Sequence, residues 1–278
     1  MAIGKTTVMP PKTVKAIKDC SFFMKLNPIL LLISSAHLRG KYSLARLAFA
    51  LLISQFSTHH SWADDIIKYN YQIEKTALHS KQSFTQGLAL HQGAMLESSG
   101  LYGKSFIQRY TTVDNNLLNQ RRLNRSVFAE GITVFDNTLY LLTWKQGRAL
   151  LFDAKSFEPL GHLSFKGQGW GLSHLGSELI MSNGTNVLTY RNPKDFSVIR
   201  RLDVSFNLQP LTNLNDLTTT DDQSPHGALI WANVWKDHRI FAIHPINGKV
   251  VGLVDLNDLR LDNLSPSGDD VLNGITWD

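Results

Sequence analysis

Cysteine is almost absent from this chain of 278 residues, since Cys20 is the only one. After residue 20 there can therefore be no disulfide within the chain, no cysteine-ligated metal and no catalytic thiol. Exported bacterial proteins and cytosolic proteins can both lack cysteine, so this absence does not settle the compartment.

A net positive charge is also lacking in most of the chain, although the whole sequence carries +5. Residues 1–63 contain eight Lys or Arg and one acidic residue, whereas residues 64–278 contain twenty Lys or Arg and twenty-two Asp or Glu. The larger part therefore presents no net basic field of the kind that nucleic-acid binding needs. We predict no nucleic-acid partner.

The sequence also lacks the short motifs of several enzyme classes. It contains no Gly-rich phosphate loop and no Gly-x-Ser-x-Gly. The histidines after residue 63 show no metal-ligand spacing. They are His79, His91, His162, His174, His226, His238 and His244. We expect neither a metal nor another cofactor.

Long hydrophobic runs are missing too. The apolar run from Leu47 to Ile53 is too short to span a bilayer, and it follows Lys41 and Arg46. Ser-Trp-Ala precedes Asp64, which places small residues at the −3 and −1 positions, as cleavage by signal peptidase requires. The pattern predicts a signal peptide and export to the periplasm or the medium.

This prediction divides the chain into a leader, residues 1–63, and a folded domain, residues 64–278. The signal peptide would occupy about residues 41–63 of the leader. A membrane anchor formed by the leader and a misplaced start codon are the alternatives.

Short alternating runs dominate from Tyr69 onward, and helical periodicity is scarce. Gly, Asn, Asp and Pro separate these runs, which is typical of an all-β fold. In the first unit we predict strands at 88–91, 94–98, 106–113 and 117–123.

A short unit recurs along the chain: a polar or aromatic residue, then Gly or Asp, then Leu or Ile. Its first positions are Gln86, Glu130, Trp170, Asn215 and Asn273, at steps of 44, 40, 45 and 58 residues. A period in the forties with four short strands predicts a β-propeller, here with five blades. Each unit would begin an innermost strand, so the five side chains would converge at one end of the channel. Alternatively, the glycines serve only tight packing between blades.

Ordered motifs now identify a resemblance. The sequence contains, in this order, FTQGL (84–88), ESSGLYGKS (97–105), FAEGIT (128–133), TW (143–144), GWGL (169–172), SNGT (182–185), LNDL (214–217), WANVW (231–235), GKVVGLVDL (248–256) and VLNGITWD (271–278). Together they resemble the glutaminyl-peptide cyclotransferases of the plant and bacterial type. The resemblance implies a five-bladed β-propeller and the conversion of N-terminal glutamine to pyroglutamate with loss of ammonia. The implied partners are peptides or proteins with N-terminal glutamine, and we expect a monomer.

The resemblance also implies the site residues. Glu130 aligns with the family's catalytic acid, which would serve as general base and then general acid. Asn215 would steady the developing oxyanion. Phe84, Gln86, Phe128, Trp144, Trp170 and Trp235 match substrate-binding positions of the family, and the tryptophans would clamp the substrate and attract its ammonium.

Two departures from the family bear on activity. The fourth unit usually reads Leu-Asn-Glu-Leu-Glu, whereas this chain has Asp216 and Thr218 at the acidic positions. The family also continues for about thirty residues past the position of Asp278, and that part supplies a lysine to the site. We therefore expect an incomplete last blade, with an inner strand at 273–278 and an outer strand at 69–78. A catalytically impaired propeller that binds peptides or acts as a scaffold is the alternative function.

Overall fold

The computed structural model describes residues 66–73, 79–80, 82–112, 114–224, 227–259 and 271–277. Regular structure within these ranges consists of strands alone. The predicted leader and signal peptide lie outside the described residues. In the part that is described, no helix is long and apolar enough to cross a membrane.

Four antiparallel sheets follow one another along the chain, each starting with its innermost strand. The first contains β2 (Thr85–His91), β3 (Ala94–Ser99), β4 (Phe106–Thr111) and β5 (Leu117–Arg122). The second contains β6 (Ala129–Phe135), β7 (Thr138–Thr143), β8 (Arg148–Asp153) and β9 (Pro159–Ser164). The third contains β10 (Leu172–Leu175), β11 (Glu178–Met181), β12 (Val187–Arg191) and β13 (Val198–Asp203). The fourth contains β16 (Leu214–Thr220), β17 (Leu229–Val234), β18 (Arg239–Ile243) and β19 (Val250–Asp255).

Three short strands complete the described structure. β14 (Ser205–Phe206) and β15 (Gln209–Pro210) form a hairpin between the third and fourth sheets. β1 (Ile67–Tyr69) pairs in parallel with β19 and becomes a fifth strand at the outer edge of the fourth sheet. Of the strand predicted at 69–78 for a fifth blade, only Tyr69 lies in a described strand, and that strand belongs to the fourth sheet. Residues 74–78 lie outside the described part, so the outer strand stays a prediction.

The four sheets form a propeller-like arrangement. Their innermost strands β2, β6, β10 and β16 lie next to one another in that order, and β16 also contacts β2. The strand predictions for the first unit are confirmed, although β2 begins three residues earlier than expected. The five-blade prediction is not confirmed, since four blades are seen and 271–277 forms no strand.

Three glycines allow the innermost strands to approach one another closely. A Cβ atom at Gly87 would lie 2.7 Å from the backbone nitrogen of Ile132, and one at Gly131 would lie 2.5 Å from the carbonyl oxygen of Trp170. At Gly171 the carbonyl oxygen of Asn215 would be only 2.0 Å away. Real Cβ atoms do not come so near to backbone, so the glycine of the recurring unit is required by the packing of blade on blade.

Apolar side chains fill the spaces between successive sheets. Leu96 and Ile107 of the first sheet pack with Leu139 of the second. A second cluster joins the second and third sheets, and a third cluster joins the third and fourth. A fourth cluster, on the other face of the fourth sheet, includes Ile275. Burial of this apolar surface is the main contribution to holding the ring of sheets together.

Candidate functional site

The strand pairing is irregular at the start of the innermost strands, and this irregularity determines where several predicted site residues point. The register between β2 and β3 shifts around Gln86. It shifts between Ala129 and Ile132 in the second sheet and between Leu214 and Leu217 in the fourth, so Glu130 and Asn215 also lie in bulges. A bulge re-aims side chains that a regular strand would alternate between its two faces. The three side chains thus lie at the same end of their sheets, which we name the site end.

Serine side chains link these bulges to the neighbouring sheet. The Ser98 hydroxyl donates to the carbonyl oxygen of Glu130 at 2.6 Å. The Ser182 hydroxyl donates to the carbonyl oxygen of Asn215 at 2.7 Å. Each hydroxyl comes from the second strand, or just past it, of the preceding sheet. The backbone of both predicted catalytic residues is therefore held by the blade before it.

Five predicted aromatic residues at the site end form two groups of ring contacts, which together we name the aromatic rim: Phe84, Phe128 and Trp144 in one group, and Trp170 and Trp235 in the other. The ring centroids of Phe84 and Phe128 lie 6.4 Å apart, and those of Phe128 and Trp144 lie 5.3 Å apart. The Trp170 and Trp235 rings meet edge to face at 6.2 Å.

Gln168 joins the two halves of the aromatic rim. Its Oε1 accepts a hydrogen bond from Nε1 of Trp144 at 2.8 Å and another from Nε1 of Trp170 at 3.2 Å. Since one oxygen accepts from both indoles, Gln168 fixes the separation of the two rings.

Two lysines lie over tryptophans of the rim. The Nζ atom of Lys145 is 3.8 Å from the centroid of Trp144, and that of Lys236 is 4.6 Å from the centroid of Trp235. The Trp235 side chain remains 40% exposed. The chain's own ammonium groups thus occupy one face of each ring and place positive charge at the rim.

Three amide side chains form a hydrogen-bonded row at the site end. The Nδ2 atom of Asn215 donates to Oδ1 of Asn273 at 3.1 Å. The Nδ2 atom of Asn273 donates to Oε1 of Gln86 at 3.2 Å and to the carbonyl oxygen of Thr85 at 3.1 Å. Asn273 therefore orients both neighbours. The bonds to Asn273 use neither N–H of Nε2 in Gln86 and only one of the two N–H groups of Nδ2 in Asn215.

Two carboxyl groups lie buried close to these amides. The Glu130 side chain is nearly inaccessible, and Asp216 is fully buried. Burial raises the pKa of Glu130 well above its usual range, and the negative charge of Asp216 raises it further.

Asp216 connects three segments of the chain through its carboxylate. Oδ2 accepts hydrogen bonds from the backbone N–H of Leu88 at 3.3 Å and of Ile275 at 2.9 Å. Burial raises the pKa of Asp216 to about 8, although the backbone N–H groups of Ile275, Leu217 and Leu88 each act to lower it. Asp216 can therefore hold a proton near neutral pH, and burial shifts the pKa of Glu130 in the same direction, as suits a proton-transferring group.

A cavity of about 440 Å³ also runs along the innermost strands, but beyond the bulges. Its lining includes Thr133, Ser173, Thr218 and Thr219. None of the predicted site residues lines it, so the candidate site is the end marked by the bulges and not this cavity. Within the described ranges, no group of three or more His, Cys, Asp or Glu is placed to hold a metal ion.

Comparison with known proteins gives one consistent result. The family model described as "Glutamine cyclotransferase" matches residues 47–278. The chain belongs to the glutamine cyclotransferase family. A glutaminyl-peptide cyclotransferase of Arabidopsis thaliana is 31% identical over 207 residues, which cover 72% of this chain and 62% of that protein. The chain thus spans about three fifths of the length of this relative.

A solved structure agrees with this assignment. The crystal structure of Myxococcus xanthus glutaminyl cyclase superposes with a TM-score of 0.63 at 28% sequence identity. The match covers 72% of this chain and 83% of the Myxococcus chain. The family resemblance inferred from the ordered motifs is confirmed, and the propeller-like arrangement of sheets is shared with a solved member.

Sequence reasoning singled out most of the residues that the structure places at the site end, but it missed some of them. All eight predicted residues lie at the site end, which the aromatic rim shares with the two catalytic candidates. Asn273 was found by the repeat but received no role, and the acid Asp216 was set aside because it departs from the family pattern. Gln168 gave no sequence signal, because an exposed glutamine between two glycines is typical of an ordinary loop.

The buried carboxyl group of Asp216 predicts an unusual dependence of stability on pH. The folded protein keeps the Asp216 proton up to about pH 8, whereas an unfolded chain releases it near about pH 4. The folded state therefore binds more protons between these values, and the free energy of unfolding falls as the pH rises. Urea denaturation at pH 5.5, 6.5 and 7.5 measures this slope. We expect Asp216→Asn to reduce the fall by up to about 1.4 kcal/mol per pH unit.

The matched control for this experiment is Asp221→Asn, in the turn after β16 at the opposite end of the same strand. It should leave the slope of the parent protein unchanged. Equal slopes for the parent protein and Asp216→Asn would contradict a raised pKa at Asp216.

Proposed function

We propose that this chain is a glutaminyl-peptide cyclotransferase that converts N-terminal glutamine of peptides to pyroglutamate and releases ammonia. Family membership supports the reaction class. The observation that carries the proposal is the buried Glu130, whose pKa is raised and which lies at the same end of the sheets as the aromatic rim. A hydrophobic clamp beside one carboxyl group with a raised pKa is what this intramolecular reaction requires.

The proposed steps use one carboxyl group twice. The substrate's neutral α-amine attacks the Cδ atom of its own carboxamide, forming the ring C–N bond and placing negative charge on the amide oxygen. Glu130 takes the proton that the attacking nitrogen loses. It then gives that proton to the departing amide nitrogen, and the C–N bond breaks to release ammonia. Since an α-amine has a pKa of about 8, a base with a raised pKa is well matched to this transfer.

Two side-chain N–H donors are available to stabilise the oxyanion. Asn273 occupies Oε1 of Gln86 and one N–H of Asn215, and none of the described residues accepts a hydrogen bond from the other side-chain N–H groups of these two residues. We assign these donors to the carbonyl oxygen of the scissile amide. Donors that are oriented before the substrate binds do not need to reorganise during the reaction.

We also propose that 271–277 occupies the innermost position of a fifth blade. The backbone N–H groups of Ile275 and Trp277 donate to side chains of β16, at Asp216 and Thr218. On the other side, Asn273 donates to the backbone of β2. The segment thus lies between the innermost strands of the fourth and first sheets.

Export remains a proposal that rests on the apolar run Leu47 to Ile53 and the small residues before Asp64. N-terminal sequencing of the mature protein tests it. We expect the mature chain to begin at residue 64; recovery of an intact leader would contradict cleavage.

Replacement of the proposed acid/base tests the reaction. We expect Glu130→Gln to reduce ammonia release from a Gln-peptide by about 10²- to 10⁴-fold, because the proton transfer loses its carrier. Binding, measured through tryptophan fluorescence, should persist, since the aromatic rim is unchanged. Glu158→Gln, an exposed substitution in the turn after β8, is the matched control and should retain the parental rate.

Two outcomes of this experiment would count against the proposal. A Glu130→Gln protein with the parental rate would remove Glu130 from the mechanism. A parent protein that binds Gln-peptides without releasing ammonia would instead support the peptide-binding alternative.

The amide row makes a separate prediction about Asn273. We expect Asn273→Ala to lower kcat by about tenfold with a smaller change in KM, because Gln86 and Asn215 lose the group that orients them. Asn119→Ala is the matched control, since its amide donates to the carbonyl oxygens of Lys155 and Ser156 far from the site. A parental kcat for Asn273→Ala, or an equal loss in both variants, would show that the row does not act on the reaction.

A further inference from the structure

The charges of the loops divide between the two ends of the sheets. At the site end, the described connections after β3, β5, β7, β9, β11, β13, β17 and β19 contain five Lys or Arg and two Asp. At the opposite end, the described connections contain three Lys and six acidic residues. Over these described connections, the charge is therefore net positive around the candidate site and net negative at the other end.

The positive residues of the site end are all exposed, and they come from three of the sheets and the links between them. They are Lys104, Arg125, Lys145, Lys166 and Lys236. Lys145 and Lys236 matter most, because each lies over a tryptophan of the aromatic rim. These two ammonium groups come from different sheets, the second and the fourth, and so place charge in both groups of rim rings.

The acidic residues at the site end do little to offset this charge. Asp237 forms an ion pair with Arg239, with Nη2 and Oδ2 2.6 Å apart. The other acid, Asp258, follows β19 at the outer edge of the fourth sheet. Among the described residues, the loops of the site end therefore carry more positive than negative charge, which acts on charged groups that approach in solution.

We propose that this enzyme prefers acidic peptides, with Asp or Glu in the few positions that follow the N-terminal glutamine. The inference rests on the proposed function and extends it to substrate class. With the glutamine held beside Glu130, the following residues must pass outward across the aromatic rim. Carboxylates in those residues then meet Lys145 and Lys236, whereas lysines there are repelled.

Three amidated peptides of equal length test the preference: Gln-Ala-Glu-Glu-Ala, Gln-Ala-Ser-Ser-Ala and Gln-Ala-Lys-Lys-Ala. Ammonia release at low salt gives kcat/KM for each. We expect the acidic peptide to exceed the neutral one by about three- to tenfold, and the basic peptide to fall below it by a similar factor, since exposed ion pairs are individually weak. Sodium chloride at 0.5 M should remove most of the difference, because it screens exposed charges.

Paired variants locate the effect. The double variant Lys145→Gln/Lys236→Gln should bring the three kcat/KM values together, and Lys145→Glu/Lys236→Glu should reverse their order. Lys145→Arg/Lys236→Arg keeps the charge and should keep the preference. Lys155→Gln/Lys194→Gln, at the opposite end of the sheets, is the matched control and should leave the order unchanged.

The outcomes separate this inference from the function on which it rests. If none of the three peptides releases ammonia, the proposed function fails. If all three are cyclised with equal kcat/KM at low salt, the function stands and the preference for acidic peptides is wrong. If the preference survives in Lys145→Gln/Lys236→Gln, the aromatic rim is not its source and the inference is likewise overturned.

Discussion

Direct contact of backbone with backbone between successive innermost strands is the constraint on which the site depends. Gly87, Gly131 and Gly171 leave no room for a Cβ atom, so neighbouring blades meet at van der Waals distance. The residue before each of these glycines is Gln86, Glu130 or Trp170. Their side chains therefore come together because the glycines after them let the strands approach. The same glycines thus determine both the packing of the blades and the position of the site residues.

The fourth sheet departs from this rule in an informative way. Asp216 stands where the other sheets have glycine, and its carboxylate binds the backbone of Leu88 and Ile275. A buried carboxylate destabilises the fold unless it is hydrogen-bonded, and these two backbone N–H groups supply the hydrogen bonds. With glycine at position 216, the same N–H groups would lose this acceptor. The same group lies near enough to Glu130 to raise its pKa. One residue thus joins three segments of the ring and acts on the proposed proton carrier.

Local patterns allowed prediction of the strands, but not of the contacts that depend on the tertiary fold. The strands of the first sheet were predictable because alternation and turn residues mark them. The convergence of Gln86, Glu130 and Asn215 was predictable from the repeat. The parallel pairing of β1 was not, because three residues with no distinctive pattern gain a partner only from β19, more than 180 positions later. The burial of Asp216 was equally hidden, since its partners are distant in sequence.

The amide row has a consequence for how the protein folds. Asn273 joins Gln86 across 187 positions and Asn215 across 58, so the row closes a very long loop. Non-local contacts of this kind form late and slowly, because closing a long loop reduces the entropy of the chain before the new contact can offset that cost. The four sheets, built from neighbouring hairpins, can assemble first. We therefore expect 271–277 to dock between the first and fourth sheets as the last step of folding, so that the amide row forms only after the four sheets have assembled.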